Sequence, residues 1–387
     1  MTVSSAARAP ELATISTLED FALLRREWDT LVRAMARPSP FLLHGWLEEW
    51  WRSYGEGAAL AIRVARRDGR LVAALPLHVR SEFGLSVGSF LGGRHAALAD
   101  LLVEPGEPSS VASEIARSGT SSVDYVDLHG LPKASRLERA LGPDLSLIER
   151  VESPVLELGQ SWDAVYRDKT SSKTRSLHRR RRRQLGELGR LEVEVAREPS
   201  ELTAALEDAF RLHDLRWQGR PDGSDFGTLA GRSFHRKAII ALSPLDVPRI
   251  VLLRLDGRAI AFHYYFALEG SMVVHRLGFD PEFARYSPGL VNTLDTIETA
   301  AAEGLTRVEF LGGAERYKLE LADRFDPLCH GIGLARGPLA RAAVEARLAY
   351  IRLRLRLKRH QGLRRLYVDG MAPVRRLASL SRAAPRT

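Results

Sequence analysis

The sequence predicts an α/β protein of two similar halves, with mixed sheets flanked by helices and a basic helix at the C-terminal end. Three observations carry this. The chain has 387 residues, 45% of them hydrophobic, which suits two domains with buried cores. Two apolar stretches, 59–78 and 249–268, each fold back at an Asp-Gly pair, Asp68-Gly69 and Asp256-Gly257, a strong hairpin signal. Residues 271–318 read as strand, glycine-containing turn, helix and strand, a unit that joins parallel strands. The order helix, hairpin, strand, helix, strand occurs twice and points to an internal duplication.

Residues 1–16 are small and polar and are expected to fray. A helix is expected over 18–35, with Leu18, Phe21, Leu24, Trp28 and Leu31 on one stripe. The aromatic stretch 41–54 is a second helix. Its three tryptophans read as core packing, although a ligand platform would use the same residues. Strands 59–64 and 70–78 form the first hairpin. Phe90-Leu91-Gly92-Gly93 leads to a short strand at 99–103, followed by a helix at 109–117 and a strand at 125–128.

In the second half a helix spans 201–217, with Leu202, Ala205, Leu206, Ala209, Leu212 and Leu215 inward. A helix at 233–242 and the hairpin 249–255/259–268 follow. Next come an apolar strand at 272–277, a polar turn at 280–286, a helix to Ala302 stopped by Gly304, and a strand at 307–311. Residues 338–360 fit an alternating strand pattern and also a helical stripe of Leu339, Ala343, Ala346, Tyr350, Leu353 and Leu357. The Ala/Leu/Arg composition favours helix. The expected organisation is a tail and lead-in helix (1–40), a first α/β domain (41–160), a basic linker helix (161–200), a second α/β domain (201–335) and a basic helical tail (336–387).

The net charge of +9 is uneven. Residues 336–387 carry 14 Arg/Lys against two acids, and 169–190 carry nine against one, so the remainder is acidic. The run 173–183 holds seven Arg/Lys and no acid. It suits nucleic acid or anionic lipid, or a solvated helix linking the halves. The tail, with Arg364, Arg365, Arg375 and Arg376, suits an anionic membrane face or packing on the body with a basic exterior. No transmembrane stretch or secretory leader is visible, and the single cysteine, Cys329, excludes an intramolecular disulfide. A cytoplasmic setting, with peripheral contact at the inner membrane face, fits this pattern. No zinc spacing occurs, so no metal is expected.

At Ser287-Pro288-Gly289-Leu290 a helix begins whose free N–H groups could hold a pyrophosphate. Ser287 would cap it, Pro288 suits its first turn and Gly289 leaves room for a ligand. An ordinary capped helix start reads the same way.

Several segments resemble the BioF2-like acetyltransferases, relatives of the CelD proteins named for cellulose biosynthesis. They are Leu212-His213-Asp214-Leu215-Arg216-Trp217, Leu253 to Phe262, Tyr286-Ser287-Pro288-Gly289, and Glu309-Phe310-Leu311-Gly312-Gly313 followed by Tyr317-Lys318. The resemblance spans about 40–330. It implies tandem GNAT-like domains, related to the FemABX peptidyltransferases, and an acyl donor on coenzyme A, or on tRNA in a FemABX-type enzyme. Two departures stand out. The loop 285–291 has one glycine where the GNAT pyrophosphate loop has two small residues, and Glu309 replaces an expected Asp.

Acyl transfer from a thioester needs an acid for the leaving thiolate and a base for the amine. Tyr317 is placed to be the acid, and Glu309 could be the base directly or through a water; a surface turn and an outward strand glutamate read the same way. Lys318 suits a phosphate or carboxylate. His213, Arg216 and Trp217 share one helix face and suit an acceptor pocket. His263 and His275 read as core. The expected function is transfer of an acyl group, acetyl foremost, from acyl-CoA to an amine, and the resemblance implies an amine on a sugar, envelope precursor or polysaccharide intermediate. An aminoacyl-tRNA-dependent transferase and a non-catalytic scaffold binding membrane or nucleic acid are the alternatives.

Overall fold

The computed structural model describes residues 9–159, 161–217, 225–313 and 315–359. The first half opens with β1 (Glu11–Ile15), α1 (Leu18–Leu23), α2 (Arg25–Arg33) and α3 (His44–Tyr54). The segment expected to fray is therefore ordered from Glu11, because β1 pairs antiparallel with the next strand along the sheet edge. The expected 18–35 helix is two helices meeting at Leu24, and Thr17 caps the first by accepting from Asp20 N. Trp28 and Trp46 are fully buried, and Trp28 Nε1 donates to Leu42 O at 2.7 Å. The aromatic helix is core.

Then come β2 (Ala58–Arg67), β3 (Arg70–Glu82), β4 (Leu85–Phe90), β5 (Leu102–Val103), α4 (Ser109–Thr120), β6 (Tyr125–Pro132), α5 (Arg136–Leu141) and β7 (Leu145–Val151). The short strand near residue 100 pairs with β3. The chain continues through β8 (Pro154–Glu157), α6 (Trp162–Lys169), α7 (Ser172–Gly186), β9 (Leu191–Ala196), α8 (Pro199–Trp217), α9 (Leu229–Leu242), β10 (Pro248–Leu255), β11 (Arg258–Leu268) and β12 (Ser271–Phe279). It ends with α10 (Pro288–Ala302), β13 (Arg307–Glu309), α11 (Arg316–Leu321), β14 (Arg324–Phe325), β15 (Leu328–Gly333) and α12 (Gly337–Arg359).

The two sheets run β1-β2-β3-β4-β6-β15-β7, with β5 beside β3, and β9-β10-β11-β12-β13-β8-β14. Each half thus has the same order, with one parallel pair, β4/β6 or β12/β13, in an otherwise antiparallel sheet. The penultimate strand of each sheet comes from the other half of the chain. β8 follows the first half but lies between β13 and β14, and β15 follows the second half but lies between β6 and β7. The sheets therefore do not divide at the boundaries read from sequence, and residues 9–40 belong to the first layer.

The duplication is visible in the hairpin residues themselves. Arg66, Asp68, Gly69, Arg70, Val72 and Ala73 align with Arg254, Asp256, Gly257, Arg258, Ile260 and Ala261. Both Asp-Gly pairs have positive φ, as a type I′ turn requires. Arg66 donates to Gly69 O and Arg254 to Gly257 O, beside a register shift in each hairpin.

α12 confirms the helical reading of the tail, but its packed stripe is Ala340, Val344, Leu348 and Ile351, against Val87, Tyr125 and Ile332. Leu339, Tyr350 and Leu353 of the expected stripe are exposed. Several faces of this helix carry Leu or Ala, so periodicity alone left its rotation open. Residues 364–376 lie outside the described region.

Candidate active site

The parallel pair of the second sheet sets up the site. β12 and β13 pair over three residues, 271–273 with 307–309, and then part. His275 is skipped in the pairing with β11, a bulge that bends β12 away. Into the resulting wedge opens a cavity of about 710 Å³ between the halves. Its second-half wall is Val274–Leu277, Phe310–Gly312 and Lys318, with the end of α8. Its first-half wall is Arg94–Ala97, His129, Gly130, Leu328–His330 and one side of α12.

His213, Arg216 and Trp217 all line this cavity, as does Lys318. The structure brings these four sequence-predicted residues together. Arg216 donates to Leu277 O at 3.4 Å, and its guanidinium lies 5.1 Å from the centre of the Phe279 ring. Lys318 is 3% exposed, and its ammonium donates to Gly312 O at 2.7 Å and meets Glu315 Oε2 at 2.9 Å. That leaves one of its three donors for a ligand.

The helix start lies just outside. Ser287, Pro288, Gly289 and Leu290 do not line the cavity. Ser287 occupies the cap position, but its backbone is left-handed (φ 55°, ψ 52°) and its side chain makes no cap bond. It closes the 3₁₀ turn at 281–286 and opens α10 with backbone groups alone: Ser287 N donates to Ala284 O, and Leu290 N donates to Ser287 O. Gly289 is needed for a protein contact, since a Cβ there would lie 2.8 Å from Phe279 Cδ1. Phe279 thus joins the helix start to Arg216 at the cavity edge.

Glu309 does not face the cavity. It is 2% exposed, and Arg37 grips both carboxylate oxygens at 3.1 and 2.6 Å. This ion pair links the halves; sequence could not show it, because 272 residues separate the partners. Tyr317 sits on α11 against Phe310, and burial raises its hydroxyl above the usual phenol range, keeping it protonated. His263 and His275 are buried and held neutral by desolvation, as core histidines should be. Cys329 lines the cavity, but burial pushes its thiol up to about 11. It is protonated at neutral pH and is no nucleophile.

Sequence reasoning missed Asp127, His129 and His330. Exchange of β15 into the first sheet sets His330 beside β6, with its Nε2 hydrogen-bonded to Asp127 Oδ1. The His129 ring lies tilted by 32° against that of His330, 3.9 Å between ring centres, and Arg347 of α12 reaches Asp127 Oδ2 at 3.0 Å. The available signal was Asp-x-His on a strand, which puts both side chains on one face.

Two sheets of matching order, each with one parallel pair and the second opened at that pair onto a cavity lined by cationic groups, form a tandem GNAT-like fold. Residues 172–319 match the family model for an acetyltransferase (GNAT) domain, and the chain carries that domain. No curated protein matches the chain. Solved structures share the fold. A conserved protein of unknown function from Bacteroides thetaiotaomicron is 13% identical, with 84% of this chain and 100% of that one covered and a TM-score of 0.54. FemX is 11% identical, with 82% and 96% covered and a TM-score of 0.52. The C-terminal domain of a lysylphosphatidylglycerol synthetase of Agrobacterium fabrum is 11% identical, with 84% and 96% covered and a TM-score of 0.50.

Proposed function

We propose that the protein transfers an acyl group, acetyl in the simplest case, from coenzyme A to an amine on an anionic acceptor. The observation that carries this is the charge of the cavity. Among the described residues, Arg94, Arg216, Arg276, Lys318, Arg347 and Arg354 line it against one lining carboxylate, Glu315. A concave site with this imbalance attracts anions. A CoA thioester supplies the activated acyl carbon and two clusters of phosphate. The wedge between β12 and β13 would take its pantetheine arm, and the start of α10, beside Phe279 and Arg216, its pyrophosphate.

Lys318 binds acyl oxygen, phosphate or carboxylate at the wedge. Tyr317 returns a proton to the leaving sulfur. His213, Arg216 and Trp217 hold the acceptor. An envelope precursor or polysaccharide intermediate, carried on phosphate, fits both the cations and the resemblance. The exposed side of α12, with Leu339 and Leu353 among arginines, suits such an acceptor at an anionic membrane. The described helices include none long and apolar enough to cross one.

One observation favours a second donor. Basic α7 packs beside the 281–286 turn and α10, with Arg182 paired to Asp295. An aminoacyl-tRNA donor would give its remaining arginines a partner. Thermal shifts with acetyl-CoA, CoA and charged tRNA separate the readings. Stabilisation by acetyl-CoA and CoA supports the first, and stabilisation by charged tRNA alone replaces it with the second.

A further inference from the structure

We propose that His330, oriented by Asp127, is the base that takes the proton from the attacking amine. The inference deepens the acyl-transfer reading and rests on it.

His330 is 2% exposed and forms part of the cavity wall. Its Nε2 is engaged by Asp127 Oδ1. With the proton on Nε2, the lone pair sits on Nδ1. That nitrogen is buried and has no hydrogen-bond partner among the described residues. A buried polar atom in a residue of a cavity wall calls for a donor, and a ligand in the cavity would supply one. The arrangement of carboxylate, imidazole and unpartnered ring nitrogen is that of an oriented general base.

The surroundings keep the carboxylate ionised. Burial alone would raise Asp127, but the His330 hydrogen bond, the positive charge of His330 and His129 when protonated, and lastly Arg347 hold it down to about 2. Burial pushes the neighbouring His129 down to about 3, so it stays neutral. Asp127 and His129 of β6 lie against His330, with Arg347 of α12 beyond Asp127 and Arg94 beyond His129.

Local backbone geometry also singles out this position. β15 shifts register against β6 between Cys329 and Gly331, a bulge that re-aims His330. Opposite it, Gly130 has φ 73°, and a Cβ there would lie 2.6 Å from Ala96 O. The 94–97 loop therefore closes over the same spot. The donor wedge belongs to the second sheet and the base to the first, so a reacting amine would sit between the halves.

In the step, the amine nitrogen bonds to the acyl carbon and gives its proton to His330 Nδ1. The carbon–sulfur bond breaks, the sulfur takes a proton from Tyr317, and the His330 imidazolium gives up the amine's proton through solvent to restore the Tyr317 hydroxyl. The products are an amide and a free thiol. The Asp127, His129 and His330 ligand atoms also lie within 4.8 Å of one another, as metal ligands would. Arg347 already occupies Asp127 Oδ2, and a divalent cation would meet that guanidinium at close range. The base assignment is therefore favoured.

Two measurements on the full chain test it. Long-range ¹H–¹⁵N spectra should show the His330 proton on Nε2 and a bare Nδ1, with the tautomer preference lost in Asp127→Asn. A proton on Nδ1, or stoichiometric zinc in the protein that shifts both imidazoles when chelated, overturns the assignment, whatever the donor proves to be. With acetyl-CoA and a panel of anionic amines, His330→Gln should lower kcat by about 10²-fold or more with KM for acetyl-CoA unchanged. Added imidazole should restore part of the rate of His330→Ala. Wild-type kcat in His330→Gln sinks the proposal. A wild-type protein inert to acetyl-CoA counts against the donor reading instead, and the spectra still decide His330.

Discussion

Lys318 carries the sharpest residue-level expectation. Its side chain is buried and keeps one donor for a ligand at the wedge. Lys318→Met should weaken acetyl-CoA binding about tenfold to a hundredfold, the worth of a charge-assisted hydrogen bond, as read by calorimetric titration. Unchanged affinity would remove Lys318 from the donor site. Gly289 makes a different prediction. Any side chain there strikes the Phe279 ring, so Gly289→Leu should destabilise by about 1–3 kcal/mol, measured by denaturant unfolding. The sequence signalled the importance of Gly289 and Lys318 but not the reason for each. A small residue before a helix looks the same whether it admits a ligand or an aromatic ring. His213, Arg216 and Trp217 were legible because one helix carries all three. Asp127 and His330 were not, because 203 residues separate them.

At the scale of elements, the strands and helices were largely legible and their partners were not. Both hairpins, α8 and α10 follow from local pattern and turn chemistry. β8, β14 and β15 are short, and their place depends on crossing between sheets, which local sequence does not encode. α12 shows a related limit. In the first half, the β4/β6 parallel junction is Val87–Gly88 with Tyr125–Val126, and α12 covers it through Val344 and Leu348. The corresponding β12/β13 junction opens to the cavity. This asymmetry leaves the open wedge in the second half. Val344→Asp should bury an unpaired carboxylate and destabilise by about 3 kcal/mol or more. Leu353→Asp, on the exposed side, should stay within about 0.5 kcal/mol. Equal effects on melting would mean the helix packs with another face.

At the scale of the molecule, strand exchange makes the halves interdependent. A fragment ending near residue 160 lacks β15 and carries an unpaired β8, so neither half should fold alone, while co-expressed halves should assemble into one cooperative unit. Independent folding of either fragment would contradict the exchange. Burial also sets the acid response. His44 and His78 are pushed down to about 4 by desolvation, and His129 to about 3. Below their unfolded value of about 6.5, the unfolded chain binds more protons than the folded one. Stability is therefore complete above about pH 6.5 and falls as the pH drops towards 4, by on the order of 3 kcal/mol for each buried imidazole. A melting temperature flat from pH 7 to 4 would contradict their neutral burial.

The central claim is that the cavity between the halves receives a CoA thioester through the β12–β13 wedge. A crystal structure with CoA bound tests this directly. The account predicts the pantetheine arm between Val274–Leu277 and Phe310–Gly312, the sulfur near Lys318, and the pyrophosphate at the start of α10. CoA bound elsewhere, with the wedge closed, would contradict it.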